Sequence, residues 1–184
     1  MCGNCASVRK GVSFLLPCGP YRGVLREAVL ALKLRGFTAL SEDLSSLMAA
    51  VVERDGRCLS GWVLVPVPLS PLSWRNRGYN HAALLARGTA RKTGLPVLSG
   101  ALRKTRETAR QSELSRLYRL RNVRRAFEAD EAVRGENVLL VDDVVTTGAT
   151  AEACAAALKE KGARRVAVLC AALTLPEDSL RRNR

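Results

Sequence analysis

The chain has 184 residues, enough for one domain with a proper hydrophobic core and too few for two large domains. Hydrophobic residues make up 47% and charged residues 26%, an ordinary balance for a globular protein. No apolar run approaches the ~18–20 residues of a membrane helix or suits a signal peptide, so we expect a cytoplasmic protein without membrane insertion. The formal net charge of +13 favours a polyanionic partner, namely nucleic acid, a pyrophosphate-bearing substrate or both.

The six cysteines do not form the pattern of a secreted disulfide framework. Cys2 and Cys5 have the spacing of half a zinc knuckle, but no second Cys-x-x-Cys follows them. Cys18 stands alone, and the only histidine, His81, is far away in sequence. We therefore predict free thiols rather than a zinc site.

The first half of the chain is predicted to contain three helices and one strand. Apolar residues at helical spacing predict a helix over Leu25–Leu34, which Gly36 ends. A second helix is predicted over Leu40–Val52. The run Trp62–Val67 has the composition of a strand and enters a proline-rich loop. The third helix, Tyr79–Lys92, ends before a glycine.

In the second half, strands again alternate with a helix. Leu95–Leu98 is predicted to be a short strand, Asn137–Val141 a buried strand, Ala151–Lys161 a helix and Arg165–Cys170 a further strand. This alternation predicts an α/β fold with a parallel sheet and helices on both faces. Residues 179–184 have the composition of a frayed tail.

The loop after the first predicted strand combines prolines with arginines (residues 66–80, PVPLSPLSWRNRGYN). Prolines reduce the loop's freedom before a ligand binds, and each arginine offers a planar donor fork to phosphate oxygens. Such a loop suits pyrophosphate, and an exposed basic turn before a helix is the alternative. The candidate pyrophosphate ligands are Pro68, Arg75, Arg77 and Gly78.

Residues 102–123 carry many cations and show no clean period of two at their start. Such a segment suits a mobile lid that closes over an anion, and a solvated helix face is the alternative. The candidate lid residues are Lys104, Arg106, Gln111, Arg116 and Arg119.

Residues 138–150 (VLLVDDVVTTGAT) form the most informative pattern in the chain. The apolar run suits a strand covered on both faces, and Asp142 and Asp143 follow at its carboxyl end, where open α/β sheets bind ligands. Carboxylates accept hydrogen bonds from vicinal hydroxyls, and a turn at a helix N-terminus suits a phosphate. The pattern predicts a ribose 5-phosphate site, with a chance strand–turn–helix corner as the alternative. The turn residues are Thr146, Thr147, Gly148, Ala149 and Thr150.

This stretch closely resembles the phosphoribosyl pyrophosphate (PRPP) motif of type I phosphoribosyltransferases, which is an apolar strand, two acids and Thr-Thr-Gly. Together with PVPLSP…RNRGYNHA and LRKTRETARQSELSRLYRLRNVRRAF, it resembles the ComF family. These are phosphoribosyltransferase-like proteins known in part from DNA uptake in competent bacteria. The similarity runs from about Tyr21 to Ala171 and includes a helix ending with Lys33 and Gly36.

The chain departs from the family's usual pattern at three places. Only Cys2 and Cys5 remain of the four-cysteine zinc module with which the family usually begins. His81 stands where glutamine is more usual, so no role is transferred to it. Trp74 stands where a smaller or basic residue is more usual, and we interpret it as loop packing, with base stacking as the alternative.

The resemblance implies a type I phosphoribosyltransferase fold, a mostly parallel twisted sheet flanked by helices, with a basic flexible lid. It implies that PRPP binds with Mg²⁺, which the substrate's phosphates and water mainly hold, so no protein metal ligand is assigned. The phosphoribosyl group would pass to an unidentified nucleophilic acceptor with release of pyrophosphate. Asp142 and Asp143 would be catalytic, and they would bind PRPP together with the turn residues.

A second function stays open, that of a non-catalytic accessory protein for DNA uptake that binds PRPP or nucleic acid. Single-stranded DNA is the expected partner in that case, and a homodimer is one of the oligomeric states left open. The expected organisation is a remnant of an N-terminal cysteine module in residues 1–19, a phosphoribosyltransferase-like domain in residues 20–175 and a C-terminal tail in residues 176–184.

Overall fold

The computed structural model describes residues 11–58, 60–105 and 126–174. Within these ranges, no helix has the length and apolar content that a membrane span requires. The elements follow in the order β1 (Leu15–Pro20), α1 (Gly23–Leu34), α2 (Leu40–Asp55), β2 (Trp62–Pro66), α3 (Pro71–Arg77), α4 (His81–Thr93), β3 (Leu102–Lys104), β4 (Phe127–Ala129), β5 (Asn137–Val145), α5 (Ala149–Glu160) and β6 (Arg165–Leu173), with a short 3₁₀ helix at Glu131–Val133 before β5.

Four of the strands form a parallel sheet in the order β1–β6–β5–β2. In its register, Val141 of β5 lies opposite Pro66 of β2 and Leu169 of β6. The strands β3 and β4 form a separate antiparallel pair. Because the central strands are parallel, the carboxyl ends of β2 and β5 meet at the same edge of the sheet.

Two apolar cores lie on opposite faces of this sheet. One contains Leu139 of β5 and residues of α1, α2 and α4, among them Leu32, Met48 and Leu85. The other contains Leu140 of β5 and residues of β3, β4 and α5, among them Leu102, Phe127 and Leu158. Successive residues of β5 thus face opposite sides, as the period of a strand dictates. The prediction of a strand covered on both faces is confirmed.

The predicted α/β class, with a mostly parallel sheet flanked by helices, is confirmed. The helices predicted over residues 25–34, 40–52, 79–92 and 151–161 are present as α1, α2, α4 and α5, with ends that differ by a few residues. Differences of this size are normal at helix ends, where the last turn frays.

Strand β5 is longer than predicted and contains the two acids. It continues to Val145 because β6 runs beside it as far as Leu173 and pairs with it over that length. Asp142 and Asp143 were expected after the strand, but they lie inside it, with Asp142 opposite Cys170. This correction places the acids at buried positions rather than in a loop.

Strand β1 was not predicted, because Pro17 and Pro20 lie within it. Proline cannot complete a strand's hydrogen bonding, but an edge strand tolerates it, and β1 is at the edge of the sheet that the described residues form. The boundary expected between residues 19 and 20 falls within β1, which pairs with β6.

Three short segments also differ from the expectation. Instead of a strand over Leu95–Leu98, Val97 makes an isolated parallel bridge to Leu64 of β2. Helix α3 lies within the expected loop, where the Ser70 hydroxyl caps it by accepting the N–H of Ser73. Strand β3 occupies the start of the expected lid, since β4 supplies a pairing partner that the local sequence does not reveal.

Candidate functional site

The corner between β5 and α5 forms a pocket at the carboxyl edge of the sheet. Gly148 has a left-handed backbone (φ 79°) and is the N-cap of α5, so the chain turns sharply from the strand into the helix. The first N–H groups of a helix have no acceptor within it and carry partial positive charge. The pocket can therefore receive an anion. It is lined by Asp142, Val144, Val145, Thr146, Thr147, Gly148, Ala149, Thr150 and Ala151.

The two acids hold the backbone of β5 through their own side chains. Oδ1 of Asp142 accepts the N–H of Asp143 at 2.9 Å, and Oδ1 of Asp143 accepts the N–H of Val144 at 2.8 Å. Both residues are buried. Such short-range bonds leave the acids little freedom to rotate away from the strand.

Asp143 lies beside two residues that the sequence did not bring into the site. Oδ2 of Asp143 is 2.9 Å from Nζ of Lys33 and 3.4 Å from Nε2 of His81. Lys33 is in the last turn of α1, and His81 is the first residue of α4. In the sequence, Lys33 and His81 are recognisable only as polar residues at helix ends. That position does not show that Asp143 is their partner.

The pKa shifts of the acids differ in sign. Burial raises the pKa of Asp142 well above its usual range, and the neighbouring Asp143 charge raises it further. Burial opposes ionisation of Asp143 as well, but the contacts of this carboxyl with His81 and Lys33 outweigh burial and lower its pKa. Asp143 is therefore the acid that stays ionised, and Lys33 is its main ionic partner.

His81 is a neutral residue near pH 7. Burial lowers its pKa to about 4, although the Asp143 carboxylate opposes this shift. Because Nε2 faces that carboxylate, the proton of the neutral ring belongs on Nε2. The other nitrogen, Nδ1, is buried and has no hydrogen-bond partner among the described residues.

His81, Asp142 and Asp143 bring three potential metal ligands within 4.8 Å of one another. The ammonium group of Lys33 already neutralises Asp143, however, and would repel a cation bound to the same oxygen. Magnesium prefers oxygen ligands and keeps several waters. The residues therefore fit an ion that arrives on the phosphates of a ligand better than a metal centre built from protein ligands alone.

One hydrogen bond holds the segment after β2 against β5, and a second ties the start of α4 to that segment. The N–H of Val67 donates to the carbonyl of Val141 at 2.9 Å, and Nδ2 of Asn80 donates to the carbonyl of Val67 at 3.0 Å. Arg75 and Arg77 are in the last turn of α3, and Gly78 ends that helix with φ 73°. Arg75 and Arg77 thus lie on a short helix, Gly78 caps it, and Pro68 precedes it directly after the residue bonded to the acids' strand.

A second pocket, of about 370 Å³, borders this helix. Its walls are mainly apolar, and Trp74, which is 53% exposed, is among them. Three cations also contribute to it. Pro68 and Arg75 are the predicted pyrophosphate residues found here, whereas the charge of Arg77 acts on His81 and helps to lower its pKa. The lining residues are Pro68, Leu69, Pro71, Trp74, Arg75, Leu102, Arg103 and Lys104.

Of the predicted lid residues, Lys104 is in β3, with Nζ 5.8 Å from the centre of the Phe127 ring. Arg106, Gln111, Arg116 and Arg119 lie outside the described residues, as do Cys2 and Cys5. The described cysteines form no disulfide bond, and burial raises the pKa of Cys18 to about 12.

Comparisons with known proteins agree with this architecture. The family model of the phosphoribosyl transferase domain matches residues 80–181 of the chain. DNA utilization protein YhgH of Escherichia coli (strain K12) is 32% identical over 177 residues, which cover 95% of this chain and 78% of that protein. Competence protein F of Haemophilus influenzae is 27% identical over 173 residues, which cover 91% of this chain and 76% of that protein.

A solved structure, described as the allosteric regulatory enzyme of purine biosynthesis, is 28% identical with a TM-score of 0.46. The match covers 71% of this chain and 25% of that one, so the chain spans about a quarter of that enzyme.

Proposed function

Because the chain belongs to the ComF family of type I phosphoribosyltransferase-like proteins, we propose that it binds PRPP and transfers the phosphoribosyl group to an acceptor. The observation that carries this proposal is the pocket between β5 and α5. There, one wall contains a buried carboxylate and the rest is a hydroxyl-rich turn at a helix N-terminus. This combination suits the two ends of a ribose 5-phosphate.

In the proposed reaction, the bond from the ribose C1 to the pyrophosphate oxygen breaks and a bond from C1 to the acceptor's nucleophile forms. Pyrophosphate leaves with the bonding electron pair. Positive charge develops on the ribose ring in the transition state, and the acid pair of β5 offsets it. Thr146, Thr147 and Thr150 hold the 5-phosphate, and Arg75 and Arg77 stabilise the leaving group.

Magnesium enters this proposal as part of the substrate. Bound to the phosphates of PRPP, the ion neutralises charge on the leaving group. Lys33 pairs with Asp143 and so limits the negative charge that the buried acids would offer to such an ion.

His81 does not fit the role of a general base toward the acceptor. Its side chain is 5% exposed, its Nε2 faces Asp143, and burial lowers its pKa to about 4. The acceptor must therefore lose its proton to another group or carry a nucleophilic atom that needs no deprotonation.

The decisive experiment measures pyrophosphate release from Mg-PRPP with a panel of amines and nucleobases, alongside thermal stability. PRPP at 100 times its dissociation constant is expected to add about 2.7 kcal/mol to the free energy of unfolding. Asp142→Asn should weaken this stabilisation. Asp43→Asn, which makes the same substitution on the exposed face of α2, should not. Binding without pyrophosphate release for any acceptor would favour a non-catalytic role, and absence of binding would refute the proposal.

A second candidate function, binding of single-stranded DNA, is favoured by the pocket beside α3. Trp74 offers an exposed aromatic face, and Arg75, Arg103 and Lys104 place positive charge around it. Base stacking on an aromatic side chain and phosphate contacts to cations are the two components of single-strand binding. Similar proteins are described as a DNA utilization protein and a competence protein, in agreement with this candidate.

Titration with a fluorescent oligothymidine at two salt concentrations tests the DNA candidate. Trp74→Ala should weaken binding by about 1–3 kcal/mol if one base stacks on the ring. Phe37→Ala, which removes an aromatic side chain of similar exposure (58%) outside this pocket, should leave binding unchanged. Equal effects of the two variants would exclude stacking on Trp74.

A further inference from the structure

The adjacent acids of β5 have different nearest partners, although their carboxyl groups lie within 4.8 Å of each other and of His81. Asp142 lines the pocket formed with residues 144–151, and the described lining of that pocket does not include Asp143. The charge of Asp142 acts on Cys154 of α5, whereas Asp143 interacts with α1 and α4. Neighbouring positions in the sequence thus lead to different environments, because side chains alternate along a strand.

Both carboxylate oxygens of Asp143 are already engaged. Oδ2 lies at ion-pair distance from Lys33 and His81 without a well-oriented hydrogen bond among the described residues, and Oδ1 accepts the N–H of Val144. The Asp143 side chain is 3% exposed. A ribose hydroxyl could reach this carboxylate only by displacing one of these partners.

The partners of Asp143 connect three elements beneath the site. Lys33 ends α1 and His81 begins α4, while Asp143 belongs to β5. A second contact joins α1 to the segment between α3 and α4, since the hydroxyl of Tyr79 donates to the carbonyl of Leu32. Tyr79 follows directly on Gly78, the residue that ends α3. The cluster of Lys33, Asp143 and His81 therefore links the acid strand to the start of α4 and the segment bearing the arginines.

We infer that the two acids have different roles: Asp142 contacts the ligand, whereas Asp143 is a positioning residue that Lys33 and His81 hold in place. This inference rests on the proposed function for the identity of the ligand. Removing one member of a buried ion pair leaves an uncompensated charge, which costs far more than losing an exposed pair. Lys33 and Asp143 should therefore act as one unit when PRPP binds.

A double-mutant cycle tests this unit in the whole chain, with Mg-PRPP affinity and melting temperature as readouts. The variants are Lys33→Met, Asp143→Asn and their combination. We expect each single change to weaken Mg-PRPP binding about tenfold and the double variant to bind no worse than either single. Lys33→Met leaves the buried Asp143 carboxylate without its ion pair, whereas Asp143→Asn leaves Lys33, which is 33% exposed, without the anchor that holds it at the site. Lys33→Arg, which keeps the charge, should retain most of the affinity.

The chain offers a matched control pair in Lys92 and Glu42. Lys92 is 32% exposed, as Lys33 is 33% exposed, and its Nζ lies 2.7 Å from Glu42, but Glu42 is exposed and also pairs with Arg91. Lys92→Met and Glu42→Gln should leave affinity unchanged and show little coupling in melting temperature. The Asp142→Asn change should instead weaken binding by the same factor with or without Lys33→Met.

The outcomes are distinct. If Asp143→Asn removes binding while Lys33→Met leaves it unchanged, Asp143 is itself a ligand contact and the inference is wrong. The inference would also be wrong if the effects of Asp142→Asn and Lys33→Met on Mg-PRPP affinity were non-additive while those of Asp143→Asn and Lys33→Met were additive. If the wild-type protein does not bind Mg-PRPP, the proposed function fails. The inference is then decided by melting temperature, where additive effects of Lys33→Met and Asp143→Asn would refute the cluster.

Discussion

The carboxyl ends of β5 and β2 lie side by side at one edge of the sheet, but they are built differently. The end of β5 contains two buried acids with an ion pair beneath them, and α5 behind it buries half of its residues. The end of β2 leads into α3, a seven-residue helix with no buried residue. A ligand at this edge would therefore contact β5 residues that are packed in the core on one side. On the other side it would contact α3 residues that are not buried.

Because of this difference, we expect substitutions at β5 to change both stability and ligand affinity. Substitutions at α3 should change mainly ligand affinity. At β5, the groups proposed to bind ribose and its phosphate are also structural, so changes there affect both properties. At α3, the proposed pyrophosphate groups are exposed cations, and surface substitutions of this kind usually change stability little. The four predictions below test this division, from the largest expected effect on stability to the smallest.

The largest effect is expected from His81→Gln at low pH. The pKa of His81 is lowered from 6.5 to about 4 in the folded protein, so the unfolded chain takes up a proton first as pH falls. Compared with the variant, the wild-type protein should lose on the order of 2 kcal/mol of stability between pH 7 and pH 4.5. Urea unfolding of both proteins at the two pH values measures this loss.

Since His81 is the only histidine in the chain, no other imidazole contributes to the difference. Parallel pH dependence of the two proteins would show that His81 is accessible to solvent protons in the folded state.

The next effect compares Gly148→Ala with Gly78→Ala. Both glycines have a left-handed backbone, with φ 79° and φ 73°, and a side chain in that conformation costs roughly 1–2 kcal/mol. At Gly148 the buried corner should retain the full cost. At Gly78 the end of an exposed short helix can unwind and relieve part of it. Thermal unfolding compares the variants, and an equal loss would contradict the proposed difference between the two ends.

A smaller effect is expected from the helix caps on the β2 side. Oδ1 of Asn80 accepts the N–H groups of Ala82 and Ala83, and its Nδ2 also anchors Val67, so Asn80→Ala should cost about 1–2 kcal/mol. Ser70→Ala removes only the cap of α3 and should cost about 0.5–1 kcal/mol. Denaturant midpoints at constant m value give both numbers, and the reverse order would mean that α3 is more tightly held than its exposure indicates.

The smallest effect on stability is expected from Arg75→Gln and Arg77→Gln, each within about 0.5 kcal/mol. Both changes should nevertheless weaken Mg-PRPP binding, because each removes a charged donor fork. If Arg75 also contacts DNA, its replacement should reduce the salt slope for a single strand by roughly 0.7. Calorimetry and a salt titration separate these outcomes, and unchanged PRPP affinity in both variants would remove α3 from the ligand site.

Local patterns were sufficient where the signal and the structure lie in the same stretch of chain. The consecutive β-branched and leucyl residues at 138–141 indicated a buried strand, and Thr-Thr-Gly indicated the turn into α5. The Ser70-Pro71 step was also a helix-start signal, but the surrounding prolines led to the prediction of a loop. That error was one of interpretation, since the information was present in the sequence.

Other features were decided by pairing between distant segments. β1 exists despite its prolines because it lies at the sheet edge beside β6, and β5 extends past the acids because β6 continues alongside. The local sequences of β1 and β5 do not show how far their common partner, β6, extends.

The sequence alone determined the α/β class, the family and the presence of two acids before a turn that we propose to bind phosphate, because these depend on residues that are neighbours along the chain. Only the tertiary structure decided that Asp142 faces the pocket while Asp143 meets Lys33 and His81. The packing of α1 and α4 on the same face of β5 produces that meeting, and such long-range packing depends on the whole core rather than on any single motif.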